Sequence, residues 1–258
     1  MNIILQSAVL GVVQGLSEFL PISSSGHLVI IPWLFGWNDL GLVFDVALHM
    51  GTLAALLLFF WKDWLDMLKN WRDPYLWLIL VACVPGAFFG YKYENLFENV
   101  FRSPLYIGSF MIIMGLVMGA AEMFGKKIRG EDTINLRDSI IIGFAQAFAL
   151  MPGVSRSGVT MSAGLFSGLK RESAARFSFL LAMPITAGAG MVKLKDIVKY
   201  GLPSSEILPF SVGIIFSAVV GYYAIKYLLK YLQNHSLYIF MWYRIAFGSA
   251  ILLVKLMR

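Results

Sequence analysis

Gln14-Gly-Leu-Ser-Glu-Phe-Leu-Pro-Ile-Ser-Ser-Ser-Gly-His27 sets an amide, a carboxylate, a run of serine hydroxyls and an imidazole inside strongly apolar sequence. In a hydrocarbon-like setting each such group costs several kcal/mol unless it is partnered. The clustering therefore asks for partners elsewhere in the chain. Met151-Pro-Gly-Val-Ser-Arg-Ser-Gly-Val-Thr160 supplies the same kind of cluster far downstream. The expectation is that the two meet.

The surrounding composition fixes the solvent. Hydrophobic residues make up 59% of the 258 and charged residues 14%, with a mean hydropathy of +0.73. Soluble domains carry about 25% charged residues, so the chain reads as an integral membrane protein. Apolar runs long enough to cross a bilayer lie near Leu42–Trp61, Leu76–Tyr91, Leu105–Phe124, Ala174–Val192, Leu208–Ile225 and Leu237–Leu256. Kinks are expected at Pro85 and Pro184. The secondary structure should be helical throughout, because an open sheet edge cannot face lipid. The net charge of +6 does not point to nucleic acid, since the basic residues sit in short loops flanking apolar runs. Cys83 is the sole cysteine, which leaves no disulfide framework and no cysteine metal site. The first residues lack a basic stretch and a small-residue cleavage site, so no signal peptide is expected.

The chain is also written twice. An offset of 132 residues lays Gly11-Val-Val-Gln14 on Gly143-Phe-Ala-Gln146, Ser23-Ser-Ser-Gly26 on Ser155-Arg-Ser-Gly158, and Leu105-Tyr-Ile107 on Leu237-Tyr-Ile239. One residue later in register, Phe44–Met50 falls on Phe177–Met183. Such internal similarity marks duplicated membrane folds. The fold class is therefore an all-α polytopic membrane protein, one domain over 1–258, with an inverted-topology repeat (about 1–124 and 135–258). Each half holds a re-entrant helical hairpin followed by three spans, making six transmembrane helices and two hairpins. Basic residues support one orientation. Lys62, Lys69, Arg72, Lys126, Lys127, Arg129, Arg137, Lys170, Arg171, Arg176, Lys226 and Lys230 fall on one side, twelve in all, against seven on the other (Lys92, Arg102, Lys193, Lys195, Lys199, Lys255 and Arg258). This places both termini outside.

Gln14 and Glu18 are four apart and share a helix face. Pro21 stops that helix, so a turn is expected near Leu20–Ser23. Ser23, Ser24, Ser25 and Gly26 then begin a second helix, whose N-terminal N–H groups suit an anion. Pro152-Gly153 breaks the partner hairpin likewise. Ser155, Arg156, Ser157 and Gly158 open its second helix, with Thr160 one turn on, and the Arg156 guanidinium fits phosphate oxygens. The set suits a phosphate ester or diphosphate. His27 can serve as base, acid or nucleophile, and Ser24 or Ser25 as nucleophile if His27 takes its proton. Glu18 can hold a divalent cation such as Mg²⁺ or Ca²⁺. His49 is expected to satisfy a carbonyl rather than to catalyse, with Asp45 as a partner four residues back. Arg244 is read as a counter-ion for Glu18 or Asp45, or as a substrate ligand.

Taken together, Gln14–His27 and Pro152–Thr160 resemble the two signatures of the undecaprenyl-diphosphate phosphatase family, the bacitracin-resistance type of bacterial membrane enzyme. Length, repeat and the Phe177-Ser-Phe-Leu-Leu segment extend the resemblance over nearly the whole chain. It implies hydrolysis of undecaprenyl diphosphate to undecaprenyl phosphate and inorganic phosphate, which recycles the carrier lipid for peptidoglycan and cell-wall synthesis. It also implies a divalent cation, a plasma-membrane location and a site facing the extracytoplasmic side. Glu18, His27 and Arg156 match the family's functional residues, and Ser24 its proposed nucleophile. Gln14 stands where many members have a second Glu, which weakens a paired-carboxylate reading. The partners implied are a polyprenyl diphosphate and membrane lipids, with no nucleic acid and with room for a homodimer. The alternative is a lipid-phosphate flippase, whose inverted repeats and broken helices are of the same kind.

Overall fold

The computed structural model describes residues 2–38, 40–200 and 203–258, without the side chains of 94–99 and 193–200. The described residues form eleven α-helices. They are α1 (Ile3–Phe19), α2 (Ser24–Phe35), α3 (Gly41–Phe59), α4 (Trp61–Lys69), α5 (Pro74–Asn99), α6 (Pro104–Phe124), α7 (Leu136–Phe148), α8 (Arg156–Phe166), α9 (Arg171–Tyr200), α10 (Ser204–Leu232) and α11 (Tyr238–Met257). Six are long and apolar enough to cross a membrane: α3, α5, α6, α9, α10 and α11. All six expected spans are found. The chain is a multi-pass membrane protein.

Five helices are too short for that role: α4, with nine residues, and the two pairs α1–α2 and α7–α8. At about 1.5 Å per residue, α1 reaches about 26 Å and α2, α7 and α8 only about 17–20 Å, against a hydrocarbon core of about 30 Å. Each pair is joined by a polar turn. Asn2 caps α1, its side chain accepting from the Ile4 amide, and Gly36 ends α2 in the left-handed region at φ 64°. A reciprocal capping box of Asn135 and Asp138 starts α7. Helices α5 and α9 run on through Pro85 and Pro184 where kinks were expected; the non-helical dihedrals in α5 fall at Tyr93 (φ −123°, ψ 19°).

Packing follows the duplicated sequence. Helix α1 lies on α10 as α7 lies on α5, α3 packs on α10 as α9 does on α5, and α6 meets α11 while α3 meets α9. Lipid gives helices no hydrophobic reason to associate, so close contact depends on small residues. A Cβ at Gly15 would stand 2.8 Å from the Gly221 amide and the Ser217 carbonyl of α10. A Cβ at Gly51 would fall within 2.4 Å of the Ile214 carbonyl.

One end of the molecule is held by charges. Arg129 forks onto Asp138 at 3.0 and 2.7 Å, and Arg176 bridges Glu131 at 2.7 Å and Asp63 at 2.5 Å. Buried Glu122 pairs with Arg171 and accepts from the Leu237 amide at 3.1 Å, at the start of α11. The loops 62–72, 126–137 and 170–176, grouped above by their basic residues, are tied together here. Lys193, Lys195 and Lys199, counted on the other side, have side chains outside the described residues.

Arg244 sits at the centre, fully buried. It is not a counter-ion for Glu18 or Asp45. Its guanidinium donates to the carbonyls of Pro21 at 3.2 Å, Gly153 at 2.7 Å and Val154 at 3.0 Å. Pro21 and Gly153 are 132 residues apart, so one side chain grips equivalent carbonyls of both hairpin turns. Each buried carbonyl left unpaired costs about 1–3 kcal/mol. Arg244→Met is therefore expected to lower stability by about 3 kcal/mol or more. Thermal unfolding of the detergent-solubilised protein, followed by size-exclusion, measures this.

Candidate active site

The two hairpin tips share one local design. Ser23 and Ser155 both adopt positive φ, 74° and 72°, directly before α2 and α8. Each caps its own helix, Ser23 Oγ accepting from the Gly26 amide at 3.4 Å and Ser155 Oγ from the Gly158 amide at 3.1 Å. The first helical residues that follow these turns meet on one carboxylate: Arg156 crosses to Glu18 of the opposite hairpin, and Ser24 reaches it within its own. The Gly153 amide donates to Ser23 Oγ at 3.1 Å, which stitches one tip to the other.

Where the tips meet, a cavity of about 250 Å³ opens, with Glu18, Ser24, His49, Gln146 and Arg156 among its walls. Glu18 is its hub. Arg156 Nη2 donates to Oε1 at 2.6 Å. Ser24 Oγ donates to Oε2 at 2.5 Å and Gln14 Nε2 to the same oxygen at 3.2 Å. His49 Nε2 lies 3.4 Å from it. The carboxylate is almost wholly buried, so it is tolerable in the membrane only because of these partners. Arg156 Nη1 is buried with no hydrogen-bond partner among the described residues, and so are Gln14 Oε1 and Gln146 Oε1. An unpaired guanidinium donor beside a cavity is chemistry for an anion.

The expected site residues separate into those that face the cavity and those that build it. Glu18, Ser24, Ser25, Ser155 and Arg156 line it. Ser23 and Gly26 form the capped turn, and Gly153 (φ 99°) lies against the Ile107 carbonyl, where a Cβ would stand 2.7 Å away. Ser157 donates to the Leu20 carbonyl at 3.3 Å. Thr160 donates to the Arg156 carbonyl at 2.7 Å and lies 2.6 Å from the Ser178 hydroxyl. These hydroxyls serve the scaffold rather than a ligand. Gln14 orients Glu18.

His27 stands elsewhere than expected. Its Nδ1 bonds the Ser23 carbonyl at 2.7 Å and its Nε2 the Tyr243 hydroxyl at 2.6 Å. The ring stacks on Phe247 at 4.7 Å between centroids and is absent from the cavity wall. Neither nitrogen is placed on Ser24. The imidazole at the cavity is that of His49, which satisfies the Asp45 carbonyl through Nδ1 at 2.8 Å, as expected, and turns its other nitrogen to Glu18. The Asp45 carboxylate pairs with Arg102 at 3.1 Å. Reasoning from sequence missed His49, Gln146 and Thr186 as cavity residues. The repeat already laid Gln146 on Gln14, and an ionisable residue in a span is seldom idle.

The donor set does not suit a protein-built cation site. Among the described residues Glu18 is the one carboxylate in the cavity wall, and both its oxygens are taken by donors. No group of three His, Cys, Asp or Glu side chains is placed to hold a metal among the described residues.

From this placement, His27→Ala should act by releasing the Ser23 turn rather than by removing a proton acceptor. The expected result is a lower rate of the catalysed reaction with an unchanged pH profile, and a loss of stability of about 1 kcal/mol. Tyr243→Phe, which keeps the stack, should give a smaller change in the same direction. A pH–rate profile beside a thermal unfolding curve measures both.

Comparison with known proteins gives the family. Residues 7–250 match the family model described as "Bacitracin resistance protein BacA". An undecaprenyl-diphosphatase of Pelotomaculum thermopropionicum is 48% identical, over 99% of this chain and 98% of its own. One of Moorella thermoacetica is also 48% identical, over 99% of each chain. One of Geobacter metallireducens is 46% identical, over 96% of this chain and 97% of its own. A family match that runs from within α1 to within α11 leaves one assignment: this chain belongs to the bacitracin resistance protein BacA family.

Proposed function

We propose that the protein hydrolyses undecaprenyl diphosphate to undecaprenyl phosphate and inorganic phosphate, in the plasma membrane with the cavity served from the extracytoplasmic side. The observation that carries this reading is the Ser24–Glu18–Arg156 constellation: a hydroxyl on a carboxylate, beside a guanidinium with an unpaired donor, at the start of two helices. The first N–H groups of α2 and α8 have no acceptor within their helices and add positive potential at the same place. The relatives' printed name and the family's description support the same substrate.

Arg156 holds the terminal phosphoryl group through Nη1 while its Nη2 stays on Glu18. Ser24 Oγ attacks phosphorus and its proton passes to Glu18 Oε2, already 2.5 Å away. The bond from phosphorus to the bridging oxygen breaks, and undecaprenyl phosphate leaves with that oxygen. Glu18 gives that proton up to the departing undecaprenyl phosphate, then takes one from the water that cleaves the phosphoserine and returns it to Ser24 Oγ, which restores the hydroxyl as phosphate is released. The apolar cavity walls exclude bulk water and strengthen each of these charge interactions. A divalent cation, Mg²⁺ or Ca²⁺, would be brought by the diphosphate rather than held by this chain's carboxylates, and would supply neutralisation of the substrate's charge. The hairpins are re-entrant in this reading, entering from opposite sides within an inverted repeat.

Phosphate release from a polyprenyl diphosphate by purified protein tests the proposal. Ser24→Ala, Glu18→Gln and Arg156→Lys are each expected to lower kcat by about 10²–10³-fold. Wild-type rates in Ser24→Ala would remove the serine mechanism. Absence of phosphate release by the wild-type protein would remove the function.

A further inference from the structure

A second cavity, of about 170 Å³, adjoins the first. Ser25, Val46, His49 and Leu150 line both, so the two share a wall. Its position follows from the helices that bound it. Leu28 lies one turn beyond Ser25 toward the end of α2, and Asp45 one turn before His49 toward the start of α3. The second cavity therefore stacks on the first toward the end of the molecule where α6 begins. That end is opposite the ion pairs of Arg129, Arg171 and Arg176. Arg102, two residues before α6, reaches into it and meets Asp45 at 3.1 Å. The remaining walls, among them Leu28, Val29, Leu42 and Pro152, are apolar.

This pair is not explained by the fold alone. A half-buried ion pair contributes little to stability, and placing one across a small cavity costs desolvation that neighbouring apolar residues would avoid. What it provides is a guanidinium next to the reaction cavity, held by a carboxylate that an incoming anion can replace. The two cavities together carry two guanidiniums, Arg156 and Arg102, on either side of Ser25 and His49. The reaction proposed above produces a small multiply charged anion in the first. That product needs a route that does not cross lipid.

We infer that the second cavity is a binding site for inorganic phosphate, in which Arg102 exchanges its Asp45 carboxylate for the phosphate released beside Ser24 and passes it toward the α6 end of the molecule. The inference rests on the hydrolytic reading for the identity of the anion. The site itself rests on Arg102, Asp45 and the shared wall.

Equilibrium binding of radiolabelled orthophosphate to the full-length detergent-solubilised protein is the test, because it requires no turnover. Arg102→Gln is expected to weaken phosphate binding about tenfold or more, the scale of a lost charge-assisted hydrogen bond. Arg102→Lys should retain part of the affinity. Asp45→Asn should bind phosphate more tightly than wild type, a gain that misfolding cannot imitate. Equal affinity in wild type, Arg102→Gln and Asp45→Asn would overturn the inference, as would a wild-type protein that binds no phosphate. Loss of the hydrolytic reading with this binding pattern intact would leave the anion site standing. Hydrolysis with the pattern absent would leave the enzyme without it.

Discussion

The structure depends on keeping one carboxylate ionised where a membrane would otherwise neutralise or expel it. Glu18 is buried, and a buried charge deprived of its partner costs about 3–5 kcal/mol. Arg156 comes from 138 residues further along the chain to meet it. Both hairpins must therefore be in place before either charge is tolerable. The capped turns, the Ser23–Gly153 hydrogen bond and the Arg244 guanidinium are the means by which two distant segments are brought to that distance.

Duplication supplied the scaffold twice and the chemistry once. Ser23 and Ser155 repeat one turn almost angle for angle. The residues that follow diverge: Ser24 in the first half brings a hydroxyl and Arg156 in the second a guanidinium. Glu18 has Leu150 as its counterpart, and His49 has Ala182 at the shifted register. One half thus contributes the carboxylate, the hydroxyl and the imidazole, and the other the cation. Two identical halves would have set like charges against each other at the centre. Divergence at a handful of positions replaced that repulsion with an ion pair.

Much of this was legible in the chain. Six apolar runs, two polar breaks and an offset of 132 residues are patterns of composition, and composition decides which solvent a segment can occupy. The meeting of the two polar clusters followed because buried polar groups need partners; that Arg156 itself would pair with Glu18 did not, since Arg244 and a cation suited that carboxylate as well. The choice between His27 and His49 was not legible. Both are single imidazoles in apolar sequence, and each bonds a carbonyl four residues back. What separates them is the far nitrogen: Tyr243 takes that of His27 from 216 residues away, and Glu18 takes that of His49. Arg244 was misread for the same reason. A guanidinium in a span suggests a carboxylate partner, yet backbone carbonyls freed at the two hairpin turns satisfy it equally well.

The ion pairs that gather loops 62–72, 126–137 and 170–176 have a mechanical meaning. A bundle riveted at its base behaves like a pair of tweezers, in which any splaying of the arms grows with distance from the rivet. At the far end the described residues show one such pair, Asp45 with Arg102, so that end is the more lightly fastened of the two. Fastening is thus unequal between the two ends of the bundle, and so is the resistance each offers to being prised apart.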